Sequence, residues 1–283
     1  MINPQTYLTK MNIDGEFELI RNKDGISLFQ VCSSQKNYVL KIFENLEFAR
    51  EIDSYHLLHE FGLPTIPLIA CSEDAILLED LKVSPNLRLA SEADLASPQI
   101  ASRLAVWYQK LHSIDLEALK LRGLKFYSEL DYFSSANINE LITFLGSKTP
   151  PTIIEIKNHF SEISQKLLSI RKCLTYNDFY YTNMAVARDD SLALMFDYNL
   201  LGLGFAAMDL HNVTSSLSED AGKAFLEAYG QIDSKERLLN EIISPIIGLV
   251  MGMNRKPLPK WFFEELEELN LPEFQTKLDQ LFS

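Results

Sequence analysis

The chain has 283 residues, 47% of them hydrophobic and 23% charged, enough apolar material for a sizeable core, which excludes disorder as its main state. A net charge of −13 argues against a nucleic-acid partner, whose phosphates need a basic surface. The charge is uneven: residues 1–80 carry 6 basic and 13 acidic side chains, residues 209–283 carry 7 and 13, and the middle is neutral. That pattern permits a cationic substrate, although a solvated surface explains it as well. Cys32, Cys71 and Cys173 are odd in number and lack Cys-x-x-Cys spacing, so neither a disulfide framework nor a zinc site is suggested. Residues 1–10 are polar, without the pattern of a secretory signal. The longest apolar stretch, 246–253, is far short of the roughly 20 residues that span a bilayer. A cytoplasmic protein with no membrane partner is the expectation.

The first 80 residues read as strands with one helix. Strands are expected at 16–21 and 26–31, joined by Asn22-Lys23-Asp24-Gly25, whose glycine can supply a positive φ. A third strand at 38–43 is rich in β-branched and aromatic residues. A helix over 46–61 ends at Gly62, and two short strands follow at 66–71 and 75–79. From Leu81 onward the texture is helical. Ser97-Pro98 opens a helix in which Ile100, Leu104, Trp107 and Leu111 share one face. Further helices are expected at 137–145, 153–169, 221–229, 235–249 and 260–269. One strand-rich island, 174–198, interrupts them.

That island carries the chemistry. Strands at 184–188 and 192–196 meet at Asp189-Asp190, and a tight hairpin there pairs positions whose numbers sum to about 379. Asn183 then faces Phe196 and lies beside Asp197, with antiparallel partners about 5 Å apart. Two side-chain oxygens at the open end, completed by phosphates and water, are a usual way of holding Mg²⁺. Asp178, on the loop leading in, overlooks the same point. Each residue alone reads as turn chemistry, but the joint order Asp-x-x-x-x-Asn, hairpin, Asp is far more specific. Lys41 shares its strand face with Val39 and Phe43, and Glu51 lies in the apolar stripe of its helix with Phe48, Tyr55 and Leu58. Singly, each is explained by a snorkelling stem or a stripe margin. Pointing inward together, the two are costly unless they meet each other or a ligand.

In this order the parts resemble the protein-kinase-like superfamily, in particular its aminoglycoside phosphotransferase and choline kinase branch, over roughly residues 15–210. Tyr38-Val-Leu-Lys-Ile-Phe43 looks like the strand with the ATP-binding lysine, and Arg50-Glu51 opens what looks like the helix with its glutamate partner. Gly62 to Pro67 and Leu77-Leu-Glu-Asp-Leu81 resemble the run into the hinge. The branch's loop of His-Gly-Asp, then four residues, then Asn, appears as Tyr176-Asn177-Asp178 followed by Asn183. Its Ile-Asp-Trp-Glu appears as Phe196-Asp197-Tyr198-Asn199, followed by Met208-Asp209-Leu210. Three positions depart from the pattern: Tyr176 replaces His, Asn199 replaces Glu, and the phosphate-covering turn has only Gly25.

The resemblance implies an α+β, two-lobed fold, with a small antiparallel-sheet lobe at 1–80 and a mostly helical lobe at 81–283 holding the acceptor pocket. It implies an ATP- and Mg²⁺-dependent kinase acting on the hydroxyl of a small molecule, such as an aminoglycoside, choline or a sugar. Asp178 is the implied base, and Asn183 and Asp197 the implied metal ligands. Lys41 and Glu51 would serve the phosphates, the backbone near Glu79 and Leu81 would take adenine, and Gly25 would lie over the phosphates. The alternative is a nucleotide-binding pseudokinase or scaffold. A protein kinase is disfavoured, since the eleven residues between Asp197 and Asp209 leave little room for an activation loop. Asp209 is expected to be structural. Trp261, Phe262 and Phe263 suit an acceptor pocket or a core equally, and the glutamates of 264–268 read as a solvated helix face.

Overall fold

A computed structural model describes residues 2–34, 36–120, 124 and 126–283. The chain forms two compact units, each assembled from three stretches of sequence. The first comprises Met1–Phe126, Asp178–Leu201 and Asn212–Gly230; the second comprises Tyr127–Asn177, Gly202–His211 and Gln231–Ser283.

Five antiparallel strands open the first unit: β1 (Glu16–Lys23), β2 (Ile26–Cys32), β3 (Asn37–Phe43), β4 (Leu68–Cys71) and β5 (Ala75–Glu79), in the order β1-β2-β3-β5-β4. Two helices accompany them, α1 (Pro4–Lys10) and α2 (Arg50–Glu60). The expectation of a single helix in the first 80 residues is therefore corrected. Asn3 accepts the Gln5 amide hydrogen bond and Pro4 occupies the first turn, a start signal in a stretch judged only for its polarity. Alternation along β3 sends Tyr38, Leu40 and Ile42 into a core with Leu8 of α1, Phe29 and Leu77. Val39, Lys41 and Phe43 take the other face. Helix α2 starts four residues later than expected: residues 46–49 form turns, and no side chain caps the helix start.

A second sheet in this unit has the order β6-β8-β9, from β6 (Leu87–Leu89), β8 (Met184–Ala187) and β9 (Ala193–Met195). Met184 pairs Met195, Ala185 pairs Leu194 and Val186 pairs Ala193, the register the Asp189-Asp190 turn predicts. Helix α3 (Pro98–His112) begins where Ser97 accepts the Ile100 N–H, and it packs along α9 (Glu219–Tyr229). Between them in sequence lies α4 (Leu116–Lys120).

The second unit is largely helical. The expected helix over 153–169 is two, α6 (Pro151–Asn158) and α7 (Phe160–Ser169), broken at His159 so that Ile153, Ile156, Ile163 and Leu167 all enter one core. They join α5 (Ser135–Leu145), α8 (Ala206–Thr214, shared with the first unit), α10 (Ser234–Gly252), α11 (Lys260–Glu268) and α12 (Pro272–Phe282). The last helix carries Phe274, Leu278 and Leu281 into the same core at helical spacing, a pattern missed in the sequence. Two three-residue strands, β7 (Cys173–Thr175) and β10 (Gly202–Gly204), pair antiparallel. The chain is thus α+β, with an antiparallel sheet early and helices afterwards. Among the described residues no helix is long and apolar enough to cross a membrane.

Candidate active site

The site lies within the first unit. The Lys41 ammonium sits 2.6 Å from Glu51 Oε2 and 2.8 Å from Asp197 Oδ1, so residues up to 156 positions apart meet at one nitrogen. Lys41 is 4% exposed and Glu51 fully buried. Burial is the largest influence on the Lys41 pKa and would lower it, but the two carboxylates outweigh burial and hold the side chain as an ammonium. Burial pushes the Glu51 carboxyl up, against the pull of Lys41.

Asp197 follows β9 and takes a left-handed conformation, φ 65°, which aspartate adopts more readily than most side-chain-bearing residues but still at some cost. The hairpin positions its neighbour: the Phe196 N–H donates to the Asn183 carbonyl at 2.9 Å. Asn183 in turn donates through Nδ2 to Asp178 Oδ2 at 3.0 Å, which leaves its Oδ1 as the acceptor atom. Burial and the charge of Asp197 raise the Asp178 pKa, while Asn183 and Lys41 lower it, for a net rise. Asp178 is thus a more basic carboxylate than an exposed one.

Beside this cluster is a cleft of about 230 Å³. Ile20, Leu28, Val39, Leu78 and Leu89 contribute apolar walls, with Lys41 and Asp197 among its polar lining. Glu79 to Lys82 line it where the chain leaves β5. That exit is braced by Asp80, which accepts from Gln30 Nε2 at 3.1 Å and from the Lys82 N–H at 2.9 Å. Gly25 is elsewhere. It sits in the β1–β2 turn at φ 77° with its carbonyl taken by the Glu44 and Asn45 amides, and it is not among the residues lining the cleft.

The structure therefore brings together Lys41, Glu51, Asp178, Asn183 and Asp197, and sets Glu79 and Leu81 on the cleft wall. Sequence reasoning missed Gln30 and Asp80, although a glutamine alternating with Leu28 on β2 is a usable signal. It also missed Arg50, whose Nε donates to the Asn199 carbonyl at 2.6 Å. No short-range pattern announces a contact across 149 positions.

In the second unit, Asp209 is structural as expected: it accepts the Tyr176 N–H at 2.7 Å and the Asn177 N–H at 2.9 Å, fixing the residues just before Asp178. Asn177, where the family motif has glycine, has φ 65°, and asparagine tolerates that region better than most residues. Phe262 is core, Trp261 packs against it, and Phe263 is exposed. The glutamate run is only partly a solvated face: Glu265 is partly buried, and burial, with Glu268 and Glu264 beside it, pushes its pKa up to about 7.

Solved structures share this fold. The macrolide 2′-phosphotransferase of Brachybacterium faecium superposes with a TM-score of 0.62 at 15% identity, over 94% of this chain and 97% of that one. A ternary complex of streptomycin, ATP and APH(2″)-IIa gives 0.61 at 18% identity, over 95% and 97%. The choline kinase of Streptococcus pneumoniae gives 0.59 at 12%, over 98% of each. Among proteins of curated function, none matches the sequence significantly. The fold is that of kinase-like phosphotransferases. Residues 19–240 match the model of the APH phosphotransferase enzyme family, and the chain belongs to that family. It is accordingly an enzyme of the small-molecule phosphotransferase kind.

Proposed function

We propose that the enzyme transfers the γ-phosphoryl group of ATP to a hydroxyl of a small molecule, with Asp178 as base. The observation that carries this reading is the buried Lys41 ammonium held between Glu51 and Asp197. Such a nitrogen is pre-positioned for the α- and β-phosphates at no further entropic cost. The apolar walls suit a purine, and the backbone at Glu79 and Leu81 would hydrogen-bond its edge. Similarly folded structures that hold ATP or ADP support the choice of nucleotide.

The residues present also fit a magnesium ion. The carboxylates of Asp178 and Asp197 repel each other and share the one ammonium of Lys41, which is also engaged by Glu51, a negative surplus that a divalent cation offsets. All the donors on offer are oxygens, the ligands of a hard cation. Among the described residues no group of three or more His, Cys, Asp or Glu could hold a metal, so the nucleotide would complete the shell. Asn183 and Asp197 would hold Mg²⁺, whose chemistry there is to neutralise charge on the phosphate oxygens. Asp178 takes the acceptor's hydroxyl proton as the new P–O bond forms. The bond from the γ-phosphorus to the bridging oxygen breaks, and ADP departs.

A nucleotide-binding scaffold gains no support, since each of the five polar residues the chemistry needs is present. ADP release followed across sugars, amino alcohols, aminoglycosides and nucleosides tests the proposal and identifies the acceptor class. With any accepted substrate, Asp178→Asn should lose about 10²–10⁴-fold in turnover while still binding ATP. Turnover at the wild-type level in that variant would refute the base.

A further inference from the structure

Asp197 is held more closely than its strained backbone alone explains. Two donors converge on its Oδ1: the Lys41 ammonium and the Nδ2 of Asn199. Oδ2 is then the oxygen left for a cation. The orientation of the Asn199 amide follows from charge, because turning it over would set its oxygen against a carboxylate. Its own Oδ1 is buried without a hydrogen-bond partner, a desolvation cost accepted for the sake of the donor. The backbone of Asn199 is tied as well, through the bond from Arg50 Nε to its carbonyl. Arg50 is the first residue of α2 and the next is Glu51, which holds Lys41. Two consecutive side chains of one helix thus grip the Asp197 segment, Arg50 through the backbone beyond it and Glu51 through Lys41. Tyr55 of α2 also packs edge-on against Tyr198, the residue after Asp197, with ring centres 4.8 Å apart.

We propose that Arg50 and Asn199 are positioning residues that fix the Asp197 carboxylate, presenting one oxygen to the cation and tying that presentation to α2. The inference rests on the reading of Asp197 as a magnesium ligand. It assigns a task to the asparagine that stands where the family pattern has glutamate: donating to Asp197 in place of adding a second acid.

The test uses the full chain with a non-hydrolysable ATP analogue and Mn²⁺ as the probe, followed by electron paramagnetic resonance. Analogue affinity without metal is measured in parallel, and unfolding without ligand checks that each variant folds. Asn199→Ala and Arg50→Ala are expected to weaken Mn²⁺ binding and lower kcat about 10–100-fold, with the metal-free affinity and the acceptor KM within about twofold of wild type. Arg50→Lys, which can still donate to the carbonyl, is expected to recover most of the loss. Should Asn199→Ala not fold, the Arg50 variants decide. Folded variants that bind Mn²⁺ as the wild type does would overturn the inference while leaving the functional reading intact. An equal fall in metal-free affinity would also overturn it, by making the pair a general brace of the nucleotide cleft. Failure of the wild type itself to take up Mn²⁺ with the analogue would sink the functional reading and this inference with it.

Discussion

Asp178 concentrates the conflict between stability and chemistry at the level of a single residue. Its pKa lies above the ordinary 3.8 because burial and Asp197 both disfavour its charge. The proposed role as base needs the charged form, so the acid limb of the kcat/KM profile should fall at a pH above the range of an exposed aspartate. The linkage has a definite sign: an acid whose folded pKa is raised contributes most to stability at low pH, and that contribution is lost as pH rises. At neutral pH the ionised Asp178 therefore destabilises the ligand-free fold. Asp178→Asn should raise the apo Tm at pH 7.5 while removing turnover, and an unchanged or lower Tm would contradict the assigned burial cost. Asn177 gives a second residue-scale expectation. At φ 65°, Asn177→Val should cost about 1–2 kcal/mol in urea denaturation, whereas Asn177→Gly should fold and turn over normally.

At the scale of elements, the β8–β9 hairpin converts a sequence spacing into the geometry of the proposed metal site. Its register brings Asn183 and Asp197 to the open end, but a three-stranded sheet of such short strands needs anchoring. Arg88 on β6 supplies it, with Nη1 and Nη2 on the two oxygens of buried Asp94 at 2.7 and 2.8 Å, and a longer contact to Asp190 in the hairpin turn. Arg188 adds a bond to the Ser84 carbonyl at 2.8 Å. Arg88→Ala should lower stability by about 1–3 kcal/mol, because it leaves a buried carboxylate short of donors. Arg88→Lys should recover little, since one ammonium cannot match a two-pronged pair. Chemical denaturation of both variants measures this, and full recovery by lysine would reduce the clamp to a simple charge contact.

For the molecule as a whole, excess acid sets the response to pH. The net charge of −13 repels itself, and Glu265 has been pushed up to about 7 from the ordinary 4.5. Between those two values the folded chain keeps a proton that the unfolded chain has released, so stability falls as pH rises through the window. The apo Tm should accordingly be higher at pH 6 than at pH 8. Glu265→Gln should raise it at pH 8 by a few degrees, corresponding to about 1–2 kcal/mol, and should change it little at pH 5. An apo Tm at pH 8 unchanged by Glu265→Gln would show that Glu265 is solvated after all.

Local repetition in the sequence determined much of this. Period-two alternation put Lys41 on the face opposite the α1 core, a Ser-Pro start opened α3, and an Asp-Asp turn set the hairpin register, because each is a property of neighbouring residues. Tertiary structure alone decided the rest. It chose where the 153–169 run breaks, paired β6 with β8 and β7 with β10, and carried Arg50 to Asn199. Periodicity says which side chains turn inward. Only the folded path of the chain says which of them arrive at the same atom.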